Sequence, residues 1–298
     1  MRLLSGTKAL IIGLALLGLS GCSALRLGYD NAPTLAWWWA DGYVDFSREQ
    51  APQARRAFDQ WFAWHRSTQL PDYAVLLLNV AAQITEPTTP EQVCRWQAQA
   101  RDHLEPGLDR GLVHAAELLP GLGETQWRHL EQHYAKGNAS AREDFAQPQP
   151  AERLKAAVKR TVERFESVYG RLEEPQRRVI AAGVAASPFN PEAWLVERQR
   201  RQRETLQTLR RLAAERADRD QRIAALRALA ERTERSPLPA YRAYQQRLAE
   251  HNCVFVAQVH NASTAAQRLV ARDKLRGWEE DLRALAAAAT PVQQASVP

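Results

Sequence analysis

The clearest chemical signal in the sequence is a cysteine directly after a short apolar segment. Two cations precede apolar residues 9–19, a stretch too short to span a bilayer comfortably. It ends in Leu-Ser-Gly-Cys over 19–22, where the small residues suit a signal-peptidase pocket and the thiol can take a diacylglycerol. The sequence predicts a signal peptide over 1–21 and a lipid on Cys22. The alternatives are an ordinary secretory signal with a chance cysteine, or an uncleaved anchor helix.

The predicted lipid on Cys22 also indicates where in the cell the protein is located. Its acyl chains would supply the membrane affinity, with no spanning helix required. Ser23 follows the cysteine where an Asp would suggest retention in the inner membrane. We therefore expect attachment to the outer membrane, on its periplasmic face, rather than to the inner membrane.

Two further cysteines, Cys94 and Cys253, remain after processing. Thiols in an oxidising compartment tend to pair, and this bond would close a loop of roughly 160 residues and contribute about 5 kcal/mol at most. We expect a disulfide between them. Two separately buried free thiols are the alternative.

Other residues with chemical potential do not form a recognisable site. His129 and His133 would share one helix face and offer half of a zinc site, but no third ligand can be named. Asp41 and Asp45 also share a face, and hydrogen bonding to neighbouring elements explains them better than catalysis. We expect no catalytic residue, no metal, no cofactor and no enzymatic activity.

Two surfaces are candidates for interaction. Three consecutive residues on a helix spread over about 200°, so Trp37, Trp38 and Trp39 cannot all face one core, and indoles favour membrane interfaces. Residues 198–235 hold twelve arginines. They form either a solvated bundle face or a basic surface for anionic lipid or an acidic partner. This run lacks the interleaved aromatic residues of nucleic-acid binding, and we expect no nucleic acid.

The elements that must position these residues are helices. Good helix formers dominate, and no segment shows sustained period-two alternation. The sequence predicts an all-α, elongated or irregular bundle of nine to eleven helices within one domain over 22–289, with a disordered tail over 290–298. We expect breaks at Leu70-Pro71, Pro106-Gly107 and Pro120-Gly121, and one long Arg-rich helix from Asn190-Pro191 to about Arg235.

Three helix starts share a pattern that places Gln126, Gln176 and Gln267 four residues after its first position. Helix capping explains this repeat most simply. The pattern also shows a faint similarity to the Leu-Thr-x-x-Gln motif of small periplasmic helical chaperones, although a threonine occurs only at Thr264.

Motifs at both ends of the mature chain resemble an uncharacterised lipoprotein family of Gram-negative bacteria. The residues that carry the resemblance are Leu25-Arg26-Leu27-Gly28-Tyr29, Asn31, Trp38, Asp41, Tyr43, Asp45, Trp61, His65-Arg66, Leu70-Pro71 and the stretch 260–268. The resemblance covers nearly the whole mature chain. The resemblance implies a location in the cell envelope, and it implies no activity and no catalytic residue.

These observations favour a binding, scaffold or chaperone-like protein of the cell envelope, held at the membrane by Cys22. Its partner would be an envelope protein or an anionic lipid. The alternative is an envelope hydrolase with an unrecognised site, which would require the fold to bring His65 and scattered acids into one pocket.

Overall fold

The computed structural model describes residues 24–288, and helices account for the regular structure there. Within this range there are eleven α-helices, no strand, and a short 3₁₀-helix at Leu119–Gly121. The all-α prediction is confirmed. The α-helices are α1 Ala24–Asp30, α2 Ala32–Val44, α3 Ala51–Gln83, α4 Pro90–Leu118, α5 Glu124–Phe145, α6 Pro150–Tyr169, α7 Glu174–Ala185, α8 Pro191–Ala214, α9 Arg219–Glu234, α10 Pro239–Ala262 and α11 Ala265–Ala287.

The centre of the fold is an antiparallel pair, α3 and α11. Leu70 and Ala74 of α3 pack against Leu282 and Leu285, near the end of α11. Further along α3, residues 81 and 84 share a core with residues 271 and 275, near the start of α11. Helices α6, α7 and α10 complete this larger core. Tyr29 of α1 packs against the cluster that contains Leu282 and Leu285, so the N-terminal and C-terminal helices of the described range lie together.

A second core lies between α5 and α8. The indole of Trp127 is 4% exposed and packs with Leu119, Leu212 and Ala217. A smaller cluster at the other end of the same helix pair contains Ala141 and Leu195. These contacts hold the first half of the Arg-rich segment against α5.

A disulfide links α4 to α10. Cys94 and Cys253 are bonded, with their Cα atoms 5.4 Å apart. Cys253 is 2% exposed and packs with Val93 and Ala257. The bond is therefore buried on its Cys253 side, in a small apolar core, while Cys94 is exposed.

Two of the expected helix breaks are wrong. Helix α3 continues through Pro71, and α4 continues through Pro106. An internal proline costs a hydrogen bond and about 3 kcal/mol. In α3 that cost is offset by burial, since Leu70 on one side is 1% exposed. In α4 the Gly107 carbonyl, next to Pro106, accepts from the indole N–H of Trp61 at 2.9 Å. This bond holds α4 against α3 at the proline. The break at Pro120-Gly121 is correct.

The single long Arg-rich helix is also wrong. Helix α8 ends at Ala214 and α9 begins at Arg219. Arg216 is left-handed, with φ 49°, and Asp218 caps the new helix by accepting from Gln221 N at 2.9 Å. The Gln221 side chain accepts from Asp218 N in return. This capping box restarts the chain in a new direction.

Within residues 24–288, no helix combines the length and apolar character needed to cross a membrane. The predicted signal peptide, Cys22 and the predicted tail over 290–298 lie outside the described residues.

Candidate functional site

Helix α1, whose first residue follows Cys22 by two positions, is fixed to the body of the domain. The Arg26 guanidinium pairs with the Asp281 carboxylate at 2.6 Å. The Tyr29 hydroxyl lies 2.7 Å from Nδ1 of His65, and Asp30 pairs with Arg66 at 2.7 Å. The start of the described chain therefore has a defined position on α3 and α11.

Helices α1 and α2 form one nearly continuous helical path. Asn31, between them, donates its N–H to Leu27 O at 3.4 Å and accepts from Leu35 N at 3.0 Å. The 21 residues from 24 to 44 would span about 31 Å at 1.5 Å per residue. One side of this path packs on the domain, and the other is open.

The open side is mostly apolar, with the exposed Asn31 as a polar residue among its members. Its large members, Leu27, Leu35, Trp38 and Trp39, are 65%, 50%, 62% and 65% exposed, and their spacing places them within an arc of about 120°. We call this surface the α1–α2 face. The only charged side chain classed as exposed between residues 24 and 44 is Asp30, which is paired with Arg66.

The structure separates the three tryptophans. Trp37 is 4% exposed, stacks on Phe46 with centroids 5.5 Å apart, and lies under the Arg55 guanidinium at 4.3 Å. Trp37 is therefore a core residue, and its selection as an interaction candidate is wrong. Trp38 and Trp39 remain candidates. Leu27 and Leu35 were missed, although their spacing from Trp38 by eleven and three residues was a readable helical signal.

The paired histidines and acids join α2 to α5. Nε2 of His129 donates to Gly42 O at 3.0 Å, and the His133 ring lies against Tyr43 with centroids 3.8 Å apart. Asp41 accepts from Phe46 N at 3.1 Å, which closes the end of α2. No cluster of three metal-ligating side chains occurs among the described residues.

The Arg-rich segment 198–235 is largely neutralised by its neighbours. Seven of its twelve arginines lie within 4.0 Å of a carboxylate that belongs to the segment itself, to Glu197 directly before it, or to α4 and α5. These seven are Arg200, Arg201, Arg210, Arg211, Arg219, Arg227 and Arg232. Much of the charge of the segment is therefore used in packing α8 and α9.

The centre of this ion-pair system is Glu197, which is 2% exposed. It accepts from Arg200 at 2.7 Å, from Arg201 at 3.1 Å and from the Ser236 hydroxyl at 2.9 Å. Burial by itself would raise the pKa of this carboxyl. The hydrogen bonds from the two guanidiniums and the hydroxyl outweigh burial and hold the pKa below its ordinary value.

His65 lies in an aromatic cluster. It stacks on Trp61 with centroids 4.5 Å apart, is 9% exposed, and burial lowers its pKa to about 4. Burial also raises the pKa of the neighbouring Tyr29 to about 12. A cavity of about 290 Å³ opens beside this cluster toward α4, and its described lining holds no acidic residue.

A family of unknown function, DUF6279, matches residues 42–242 of the chain. This stretch is about two thirds of the sequence. The chain belongs to this family. No curated protein and no solved structure matches it significantly.

The DUF6279 stretch begins at the end of α2 and stops at the first turn of α10. It contains α3 to α9, with the Arg-rich segment and the Glu197 cluster. The α1–α2 face lies before it, and α11 lies after it. The matched stretch is therefore the body onto which the two ends of the described chain pack.

The three repeated glutamines are helix caps. Their side-chain oxygens accept from the backbone N–H of Gly123, Glu173 and Thr264 at 2.9–3.0 Å. Gln176 also donates to the Gln267 side chain at 3.2 Å. The repeat therefore caps three helices and joins the starts of α7 and α11.

Proposed function

We propose that this DUF6279 chain is a lipoprotein of the bacterial envelope that acts as an anchored binding or scaffold protein. Cys22 carries the lipid, and the α1–α2 face lies on the bilayer beside it. Ser23 favours the outer membrane over the inner one. Helices α3 to α11 then project from the membrane surface as a rigid helical body that can hold a partner.

The observation that carries this proposal is the α1–α2 face. Amphipathic helices that lie in the membrane interface bury one apolar face to a shallow depth, and indoles prefer that region. Exposed apolar side chains occur singly on soluble proteins without special meaning. Here Leu27, Leu35, Trp38 and Trp39 share one stripe that begins five residues after Cys22.

The rigid attachment of α1 supports the same conclusion. Since Arg26, Tyr29 and Asp30 fix this helix to α3 and α11, a lipid on Cys22 would lie close to the folded body and not at the end of a long tether. The anchor and the face would then orient the domain together. The hydrolase alternative gains no specific observation, because no acidic residue joins His65 in the described lining of its cavity.

The lipid is tested by metabolic labelling of the full chain in a Gram-negative host with a radioactive fatty acid. We expect label on the wild type and none on Cys22→Ala. Both forms are followed by immunoblot so that a missing band is not mistaken for missing lipid. Label on Cys22→Ala would refute the anchor.

The bilayer contact is tested with the lipidated chain in vesicles whose acyl chains carry bromine, which quenches tryptophan emission at short range. We expect partial quenching of the wild type and its loss in Trp38→Phe/Trp39→Phe. The matched variant Trp64→Phe/Trp96→Phe removes two tryptophans from α3 and α4, away from the α1–α2 face, and should keep the quenching. If the first variant is quenched like the wild type, the face does not lie on the bilayer.

The binding role is tested by crosslinking in native envelopes. We expect Trp38→Ala/Trp39→Ala to change the set of crosslinked proteins or lipids relative to the wild type. Leu104→Ala/Leu108→Ala removes two exposed apolar residues of α4 and serves as the control. Identical crosslinks in all three forms would exclude the α1–α2 face as an interaction surface.

A further inference from the structure

A second cavity lies on another side of the molecule, between α6, α7 and α10. Its volume is about 510 Å³, within the range of about 300–1,000 Å³ that is typical of small-molecule sites. Phe145 at the end of α5 and Phe189 in the loop before α8 border it as well. The α1–α2 face contributes no residue to it.

One part of this cavity is apolar and joins the main core. The Phe255 ring of α10 lies directly on Gly183 of α7, where a Cβ would overlap the ring. Phe165 meets Phe255 edge to face with centroids 5.8 Å apart. Leu248 and Val184 extend the same wall. Because Gly183 has no side chain, α7 and α10 can approach each other closely. Their apolar side chains form the floor of the cavity.

The α6 side is cationic. Arg153, Arg160 and Arg164 all line the cavity, and their spacing of seven and four residues puts them within about 40° on one helix face. Arg153 donates to Gln147 O at 2.6 Å, and Arg160 donates to Asp144 O at 3.1 Å. Both acceptors are backbone carbonyls, so these contacts orient the guanidiniums without neutralising them.

No carboxylate of the described residues lies within 4.0 Å of these three guanidiniums, and no Asp or Glu lines the cavity. A guanidinium has five N–H donors, and one backbone bond leaves most of them available. On the opposite side, Nε2 of His251 donates to Gly183 O at 3.0 Å. The cavity thus combines unneutralised cations with an apolar floor.

We propose that this cavity binds an anionic amphiphile, a molecule with a carboxylate or phosphate head and one alkyl or acyl chain. Guanidiniums recognise carboxylate and phosphate oxygens through paired, charge-assisted hydrogen bonds. The floor formed by Val184, Leu248 and Phe255 would remove the alkyl chain from water. The proposal does not depend on the lipid at Cys22 or on the α1–α2 face.

The test uses the full lipidated chain in nanodiscs of phosphatidylcholine. The probes are octanoate, octyl phosphate and octanol, each with a diazirine in the alkyl chain, and crosslinked residues are mapped by mass spectrometry. We expect saturable labelling on α7 and α10, at residues such as Val184 and Leu248, by octanoate, octyl phosphate or both. Unlabelled octanoate should compete.

Two variants and a matched control locate the head group. Arg160→Gln/Arg164→Gln should weaken apparent binding by about tenfold or more, the scale of a lost charge-assisted hydrogen bond. Arg171→Gln/Arg178→Gln removes two exposed arginines outside the cavity and should bind like the wild type. Ala185→Trp fills the rim from an exposed position and should abolish the labelling, with circular dichroism as the check on folding.

The comparison of octanoate with octyl phosphate identifies the preferred head, and a preference for either supports the proposal. Equal saturable labelling of the cavity by octanol would overturn the anionic part. If inorganic phosphate competes at the same concentrations as octanoate, the alkyl chain contributes nothing to binding. The proposal of an amphiphilic ligand would then be refuted. If Arg160→Gln/Arg164→Gln is labelled with wild-type affinity, these two arginines do not bind the head group, and the proposed site is wrong.

Discussion

Two regions of this molecule are rich in arginine, and they differ in what lies opposite the guanidiniums. In α8 and α9 the arginines face carboxylates from their own helices and from α4 and α5, with Glu197 at the centre. In α6 the side chains of Arg153, Arg160 and Arg164 face a cavity whose described lining has no acid. The first region has many more arginines, but more than half of them are paired with a carboxylate, whereas none of the three in α6 is.

A count of arginines therefore does not measure how strongly a surface attracts an anion. A guanidinium paired with a carboxylate contributes to helix packing and has little field left for a distant anion. Three guanidiniums without carboxylate partners that line one cavity present their charge together, whereas most of the arginines in α8 and α9 are paired with carboxylates. The α8–α9 segment is therefore a structural region, and the α6 cavity is the better candidate for binding.

The largest expected effect comes from removing the acid at the centre of the paired region. Glu197→Ala leaves the Ser236 hydroxyl without its acceptor, and the guanidiniums of Arg200 and Arg201 without their shared carboxylate. These guanidiniums are 23% and 24% exposed, so solvent screens part of the cost. We expect the free energy of unfolding to fall by about 2–3 kcal/mol, measured by urea denaturation.

The matched control for Glu197→Ala is Glu192→Ala on the same helix. Glu192 pairs with Arg142 at the surface, and its loss should cost less than about 1 kcal/mol. Equal costs for the two variants would mean that the paired region is not held by its buried carboxylate.

The next effect concerns the cavity region, whose wall depends on close packing. Gly183→Ala places a methyl group into the Phe255 ring, and we expect a loss of about 1–3 kcal/mol. Gly277→Ala on α11 is the control, since a Cβ there has no neighbour within 4 Å. That change should stabilise the helix by about 0.5–1 kcal/mol. A neutral Gly183→Ala would mean that α7 and α10 are free to separate.

A direct comparison of the two regions uses one arginine from each. Arg200→Gln removes ion pairs to Glu197 and Glu204 and should cost about 1 kcal/mol, since Arg201 keeps its contact with Glu197. Arg164→Gln removes a side chain without a carboxylate partner and should change the free energy of unfolding by no more than about 0.5 kcal/mol. Thermal and chemical denaturation of both variants measures the two losses in stability. A larger loss for Arg164→Gln than for Arg200→Gln would contradict the comparison.

The smallest effect is a pH dependence that only the paired region should show. The pKa of Glu197 is lower in the folded chain than in the unfolded one. Its ionised form therefore stabilises the fold above the unfolded value of about 4.3, and this contribution is lost as the pH falls through the folded value. The stability advantage of the wild type over Glu197→Gln should be full at pH 7 and smaller at pH 3. An advantage unchanged across this range would contradict the assignment.

The sequence was sufficient where local chemistry sets the structure. Thr89 caps α4 by accepting from Gln92 N at 3.2 Å, and Asn190 caps α8 by accepting from Ala193 N at 3.0 Å. Both residue types are favoured at helix starts, so a reading of the sequence alone indicates these positions. The restart of the chain at Asp218 could have been predicted by the same rule, because Gln221 follows three residues later. Pro71 could not, since its tolerance depends on α11, which is two hundred residues further along the chain.

In the candidate sites, too, some features can be predicted from local sequence and others depend on the fold. The stripe from Leu27 to Trp39 is a matter of helical spacing and was readable in the sequence. The burial of Trp37 depends on Phe46 and Arg55, and only the fold shows it. The spacing of Arg153, Arg160 and Arg164 was also readable. That they face a cavity floored by Phe255 depends on α10, and no local pattern records that contact.

The bond between Cys94 and Cys253 has a mechanical consequence. A chain pulled from its two ends can lengthen only outside the covalent loop, so the 159-residue separation between the cysteines hides about 55 nm of contour at roughly 3.5 Å per residue. The Arg-rich helices and the α6 cavity, apart from Phe255 in its floor, lie inside this protected length. Under tension the described chain could unfold α1 to α3, the end of α10 after Cys253, and α11, while the region between the cysteines would bear force only through the disulfide.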